Sequence, residues 1–251
     1  MSWAGCSPVR PARPILKGNA VKHPPKSRGL QHPRGERGSQ VVEFALAMAF
    51  LVPLFAGAFS IGLTLAKGVQ LSNVCWDSVV LMVDATTDPE SGLDLSQAQN
   101  QKIIVSAANG LGLATGSNST GNSVVYLSKV VMVGPTECSE GVSGGSAPWS
   151  ASNCPNYGQY AFEYRIAFGN TSRWSSTLGA PPSADVASNG TISYANIATD
   201  TNNRATNMGS GGIITLAPSN FALIAEMYAD VTSINLFSIW NTPVMYARSI
   251  S

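Results

Sequence analysis

The 251-residue chain is long enough for one or two domains, and only 12% of it is charged, about half the usual quarter. Its net charge of +1 hides an asymmetry: residues 1–38 hold eight Lys/Arg against one acid, Glu36, whereas from residue 67 onward seven basic residues face twelve acidic ones. Both histidines, His23 and His32, fall in the first segment, which leaves the rest without a histidine base for hydrolysis or a histidine ligand for zinc.

The leader (residues 1–38) is basic and proline-rich, and reads as disordered. Lys/Arg clusters can bind phosphates, but this one has no aromatic interleaving beyond Trp3 and no DNA-binding pattern, so a nucleic-acid partner is not expected. It gives way to FALAMAFLVPLFAGAFSIGLTLA, residues 44–66, without a single charge. As a helix these residues would be roughly 34 Å long, enough to cross a ~30 Å hydrocarbon core. Basic residues flank the cytoplasmic side of such spans, so the expected orientation is N-terminus inside and residues 67–251 outside.

Two readings of this span stay open. A signal peptide or plain anchor is supported by the basic n-region and by Ala56-Gly57-Ala58, which fits a small-residue cleavage pattern that would leave Phe59 first. It would leave an exported or singly anchored binding domain. Against it, the apolar run continues past that point to full membrane length, and Glu43 at the edge of the run is unexplained, because charge inside a membrane is costly and usually functional.

The second reading takes Gly38-Ser39-Gln40-Val41-Val42-Glu43 as one motif: glycine, four residues, glutamate, then a long apolar helix. This resembles the processing signal of type IV prepilins, and the longer run ERGSQVVEFALAMAFLVPLFAGAF resembles TadE-like pseudopilins of the tight-adherence (Tad/Flp) pilus system, through Val42, Glu43, Phe44, Ala45, Leu46 and Pro53. The close likeness covers about thirty residues, and the leader is longer than the family's. Beyond them only the layout and the final run MYADVTSINLFSIWNTPVMYARSIS agree. The resemblance implies cleavage after Gly38 by a prepilin peptidase, membrane insertion, and contacts with other pilin-like subunits and the Tad assembly platform. Cleavage would give Ser39 a new α-amino group one helical turn from Glu43. In pilin-like assembly the glutamate of one subunit can meet the amine of another. Each then relieves the other's desolvation, where an unpaired charge costs on the order of 2–3 kcal/mol.

After the span, helical periodicity persists to about residue 84. Leu71, Val74, Cys75, Ser78, Leu81 and Met82 recur at three- and four-residue steps, giving one long helix over residues 39–85. Pro53 should bend it. An exported α+β domain is expected over residues 86–251. Its first helix lies in DLSQAQNQKIIVSAANGLG, with Asp94 or Ser96 as cap and Gly110 as end. Strands of an antiparallel sheet follow. YAFEYRIAF alternates, with Tyr160, Phe162, Tyr164, Ile166 and Phe168 on a single buried face, and FALIAEMYADV places Phe221, Leu223, Ala225, Met227, Ala229 and Val231 together. SVVYLSKVVMV and PVMYARSI are further strands, and residues 173–212 read as surface loops.

Among the four cysteines, Cys6 is in the leader and Cys75 on the long helix, while Cys138 and Cys154 bracket a Gly/Ser/Pro-rich loop and are the expected disulfide. Gly141-Val142-Ser143-Gly144-Gly145 matches the nucleophile-elbow pattern but lacks the flanking strand, helix and histidine that chemistry needs. Asp84, Asp88, Glu90 and Asp94 miss the EF-hand spacing and read as a solvated turn. GLGLATG follows a helix, so it is no dinucleotide loop. Three Asn-x-Ser/Thr triplets, at Asn118, Asn170 and Asn189, are what such composition yields by chance. No enzyme activity, cofactor, metal or small-molecule substrate is expected.

Overall fold

The structure is a computed structural model that describes residues 37–87, 94–118, 120–230 and 244–251. The leader up to residue 36, Asp88, Glu90, Ser119, Val231 and the rest of the segment to residue 243 lie outside these. In chain order the elements are α1 (Arg37–Thr87), α2 (Ala98–Ala107), β1 (Ser117–Asn118), β2 (Ser123–Met132), α3 (Pro135–Gly141), β3 (Tyr160–Asn170), α4 (Tyr194–Thr199), a 3-10 turn (Thr201–Asn203), β4 (Phe221–Asp230) and β5 (Val244–Ile250). The strands form one sheet in the order β1-β3-β2-β4-β5. Four of them run antiparallel, and the two-residue β1 lies parallel to β3. The fold is α+β with a long apolar N-terminal helix.

The chain divides into Met1–Ala49, whose described part is helical, and Phe50–Ser251, which holds the sheet. Helix α1 begins at Arg37 and passes through Pro53. Its apolar side chains at Val41, Phe44, Phe50, Leu54, Phe59 and Leu65 are all exposed. Further along, Leu71, Val74, Cys75, Ser78, Val79 and Met82 are buried, the stripe the periodicity predicts, with Val79 in place of the half-buried Leu81. Helix α2 starts later than expected. Gln97 is its N-cap and gives no side-chain bond, while Asp94 folds a turn ahead of it, accepting from Ser96 N at 2.8 Å. Local turn chemistry took the aspartate before the helix could use it. The helix ends at Ala107, and Gly110 follows with φ +87°.

One face of the sheet carries Val125 and Leu127 of β2, Ile166 and Phe168 of β3, and Leu223, Ala225 and Met227 of β4. These pack with the buried stripe of α1 and with Ile104 of α2. Leu127 stands opposite both Ile166 and Ala225, so three strands contribute to a single layer. Each such side chain contributes about 1.5–3 kcal/mol by leaving water.

The expectation of a single buried face on β3 is wrong for two reasons. The register slips between Lys129 and Val130, where Lys129 faces Tyr164 but Val130 faces Phe162, leaving Glu163 as the extra residue of a bulge. The slip turns Phe162 to the opposite face from Tyr164, although the two alternate perfectly in sequence. There Phe162 joins Val130, Ala222 and Ile224 in a second core. The second face is covered by the segment read as surface loops: residues 173–212 contain α4, the 3-10 turn, and the fully buried Leu178, Ile197 and Ala198. Polar composition concealed a packed layer that buries a few well-placed apolar residues.

Cys138 and Cys154 are joined, with Cα atoms 5.8 Å apart. Both are buried in the second core. The loop they close was expected to lack regular structure, yet it opens with α3. There Pro135 occupies the first turn, and the buried Glu137 accepts from Gly134 N at 2.7 Å and from Ser219 Oγ at 2.9 Å. With the two cysteines 16 positions apart in sequence, loop closure stabilises by about 3 kcal/mol. Replacing both cysteines by alanine should lower the unfolding free energy by about that much, read from urea midpoints at unchanged slope. A midpoint equal to wild type would show that the bridge adds nothing to stability.

Candidate functional site

Gly38 and Ser39 lie in the first turn of α1, and Glu43 is exposed one turn beyond Ser39. Glycine costs about 1 kcal/mol in a helix relative to alanine, so Gly38 weakens this first turn. Residues 38, 39 and 43 belong to Met1–Ala49, whereas the Cys138–Cys154 bridge belongs to Phe50–Ser251.

Glu43 opens a stretch of helix that buries nothing within the chain. Val42 is 59% exposed, Phe44 64%, Phe50 74% and Leu54 68%. A soluble monomer rarely exposes a continuous apolar patch of this kind, and one rimmed by polar residues marks a membrane or a partner. The helix is long and apolar enough to cross a membrane. The exposed apolar character continues beyond residue 66 at Val69, Trp76 and Val80, on the side of α1 away from the buried stripe.

A buried polar cluster occupies the second face of the sheet and was missed by the sequence reading. Glu226 of β4 has no solvent exposure. Its carboxylate accepts from Ser176 Oγ and Thr177 Oγ1 of the covering segment, from Tyr246 OH at 2.9 Å, and from Arg248 Nη2 at 3.3 Å. Arg248 also donates to Thr177 Oγ1 at 2.6 Å. Burial pushes the Glu226 carboxyl up, but the hydrogen bonds from Ser176, Thr177 and Tyr246 and the charge of Arg248 outweigh it, so its pKa lies below the ordinary glutamate value. Beside it, Arg165 donates to Ser128 Oγ and to Gly179 O at 3.2 Å, with its guanidinium 4.6 Å from the Tyr126 ring centroid. Burial lowers Arg165 to about 10, against the opposing pull of Glu226, and leaves it charged at neutral pH. The carboxylate has four donors from its own chain, so its evident work is to hold the segment around residues 176–179 and β5 onto β4. In sequence the only sign was Glu226 and Arg248 at alternating positions of two strands, and their register became known only with the fold.

The remaining sequence signals are not gathered into a centre. Ser143 lies after α3, so the elbow-like motif follows a helix where that chemistry needs a strand. Among the described residues, no group of three or more His, Cys, Asp and Glu side chains could hold a metal ion. Cys75 is buried on α1, its thiol 3.4 Å from Ala247 O, and burial pushes it up to about 12. Comparisons with protein-family models, curated proteins and solved structures find no match for the chain.

Proposed function

We propose that the protein is a membrane-anchored, minor pilin-like component of a Tad-type pilus assembly or secretion system, made as a prepilin. It acts by contact: the first part of α1 with the bilayer and with other pilin-like subunits, and the exported domain with the assembly platform. One observation carries this reading. A single helix carries no charge and buries no residue over 44–66, supplies one side of a domain core through Leu71, Val74, Val79 and Met82, and is headed by Gly38 and Glu43 at prepilin spacing. Packing the sheet directly on the continuation of the span lets a force on the membrane segment reach the domain without a linker. The basic leader fits a cytoplasmic N-terminus, with residues 67–251 outside the membrane.

N-terminal sequencing of the protein purified from membranes tests the assignment. Ser39 is the expected first residue, dependent on a prepilin peptidase in the host. A mature chain starting at Phe59, or a leader retained in a peptidase-competent cell, would replace this reading with a signal-bearing or singly anchored binding domain.

A further inference from the structure

We infer that the start of β5 and the adjoining turns of α1 form a groove that takes lipid acyl chains, so that the domain rests on the outer bilayer surface by its β4–β5 end. The inference rests on the membrane reading of residues 44–66 and adds a second, separate lipid contact. The groove has a volume of 430 Å³ and is lined by α1 from Thr64 to Ser72, including Leu65 and Val69, and by Met245 and Tyr246 of β5. Leu65, Val69, Leu71 and Met245 give it a mainly apolar lining.

Three features of the fold select lipid as the occupant. First, the groove straddles the end of the span. Thr64 and Leu65 lie within residues 44–66, and Ser72 is about 9 Å further along the helix axis. Its mouth therefore opens at the boundary between acyl chains and headgroups. Second, β5 runs away from that boundary: Met245 and Tyr246 line the groove with Gly68, whereas Ala247 meets Cys75 one strand residue later and two helical turns further on. The first residues of β5, and the antiparallel end of β4 at Asp230, are thus the end nearest the membrane. Third, side chains that line the groove remain open: Leu65 is 66% exposed and Val69 62%. Leaving them in water forgoes about 25 cal/mol for each Å² of apolar surface, and the bilayer edge is the apolar phase already present at that height.

Spin labels decide the question in full-length protein reconstituted into phosphatidylethanolamine–phosphatidylglycerol vesicles. In a Cys6→Ser background, with Cys75 buried and the other two cysteines bridged, Phe59→Cys, Val69→Cys, Met245→Cys and Ile103→Cys are labelled one at a time. Collision with oxygen, which partitions into lipid, is compared with collision with a water-soluble nickel chelate. Positions 69 and 245 should match position 59, with oxygen favoured, while position 103 on α2 should favour nickel. If 59 favours oxygen but 69 and 245 resemble 103, the span is inserted and the groove faces water, which overturns the inference while sparing the membrane reading. Low collision with both reagents at 69 and 245 would mean that other protein fills the groove and also overturns it. Nickel access at position 59 would remove the membrane reading and the inference with it.

Discussion

Glu226→Ala should destabilise the domain by about 3–5 kcal/mol, the usual result of removing one partner from a buried ion pair. In urea titrations of the purified chain in detergent this appears as a large fall in midpoint. The size follows from what the substitution strands: Arg248, Ser176, Thr177 and Tyr246 would each lose a carboxylate acceptor that has no solvent exposure of its own. Glu226→Gln keeps the shape and two hydrogen-bonding heads, so it should cost less than the alanine variant. It should also remove an acid-sensitive contribution. The Glu226 pKa is lower in the folded chain than in the unfolded one. Its stabilisation is therefore complete above the ordinary value of 4.5 and is lost as pH falls through the lower folded value. Wild type should lose stability more steeply than Glu226→Gln on acidification below 4.5. Equal acid slopes for the two proteins would mean that the carboxylate is not held by these donors.

This cluster also marks where sequence reasoning stopped. The long helix was legible because a 3.6-residue period over Leu71 to Met82 follows an uncharged run, and both signals survive any tertiary arrangement. Of the four main strands, β3 and β4 were placed by their alternation, and β2 and β5 were named as further strands. Which side chains share a face was not legible once a single bulge residue, Glu163, reversed the phase of β3 and sent Phe162 to the far side. The second covering layer was hidden for a different reason. Residues 173–212 bury Leu178 and Ile192 from irregular backbone and Ile197 and Ala198 from the six-residue α4, too short for a repeating period to reveal. Glu226 looked like the polar side of an amphipathic strand, since a buried carboxylate is recognisable only with its partners. The disulfide was readable because only two cysteines bracket a turn-rich loop in the exported part. Gly38, Ser39 and Glu43 were proposed from the resemblance to prepilin processing signals, and the structure adds their helical placement and the exposure of Glu43.

Gly38→Leu and Glu43→Ala should separate processing from assembly. A leucine side chain at the cut site has to enter a cleft shaped for glycine, and it favours the helical first turn that cleavage must open. Gly38→Leu should therefore abolish removal of the leader, visible as an unprocessed chain by intact mass, and Ser39 would never present its amine. Glu43→Ala leaves the glycine and the membrane-edge segment intact, so cleavage should proceed. What it removes is the carboxylate that would meet the Ser39 amine of a neighbouring subunit. At about 2–3 kcal/mol for a charge left without its counterpart in the membrane, co-isolation with other pilin-like subunits should fall by roughly 30- to 150-fold. Both variants should still insert, because residues 44–66 and the basic leader are untouched. Charge reversal at the same position, Glu43→Lys, should be worse than alanine, since two cations would then face each other. Should Glu43→Ala co-isolate as well as wild type, the carboxylate has no part in subunit contact. The helix would then associate through its exposed apolar surface alone, and the spacing from Gly38 would concern the peptidase only.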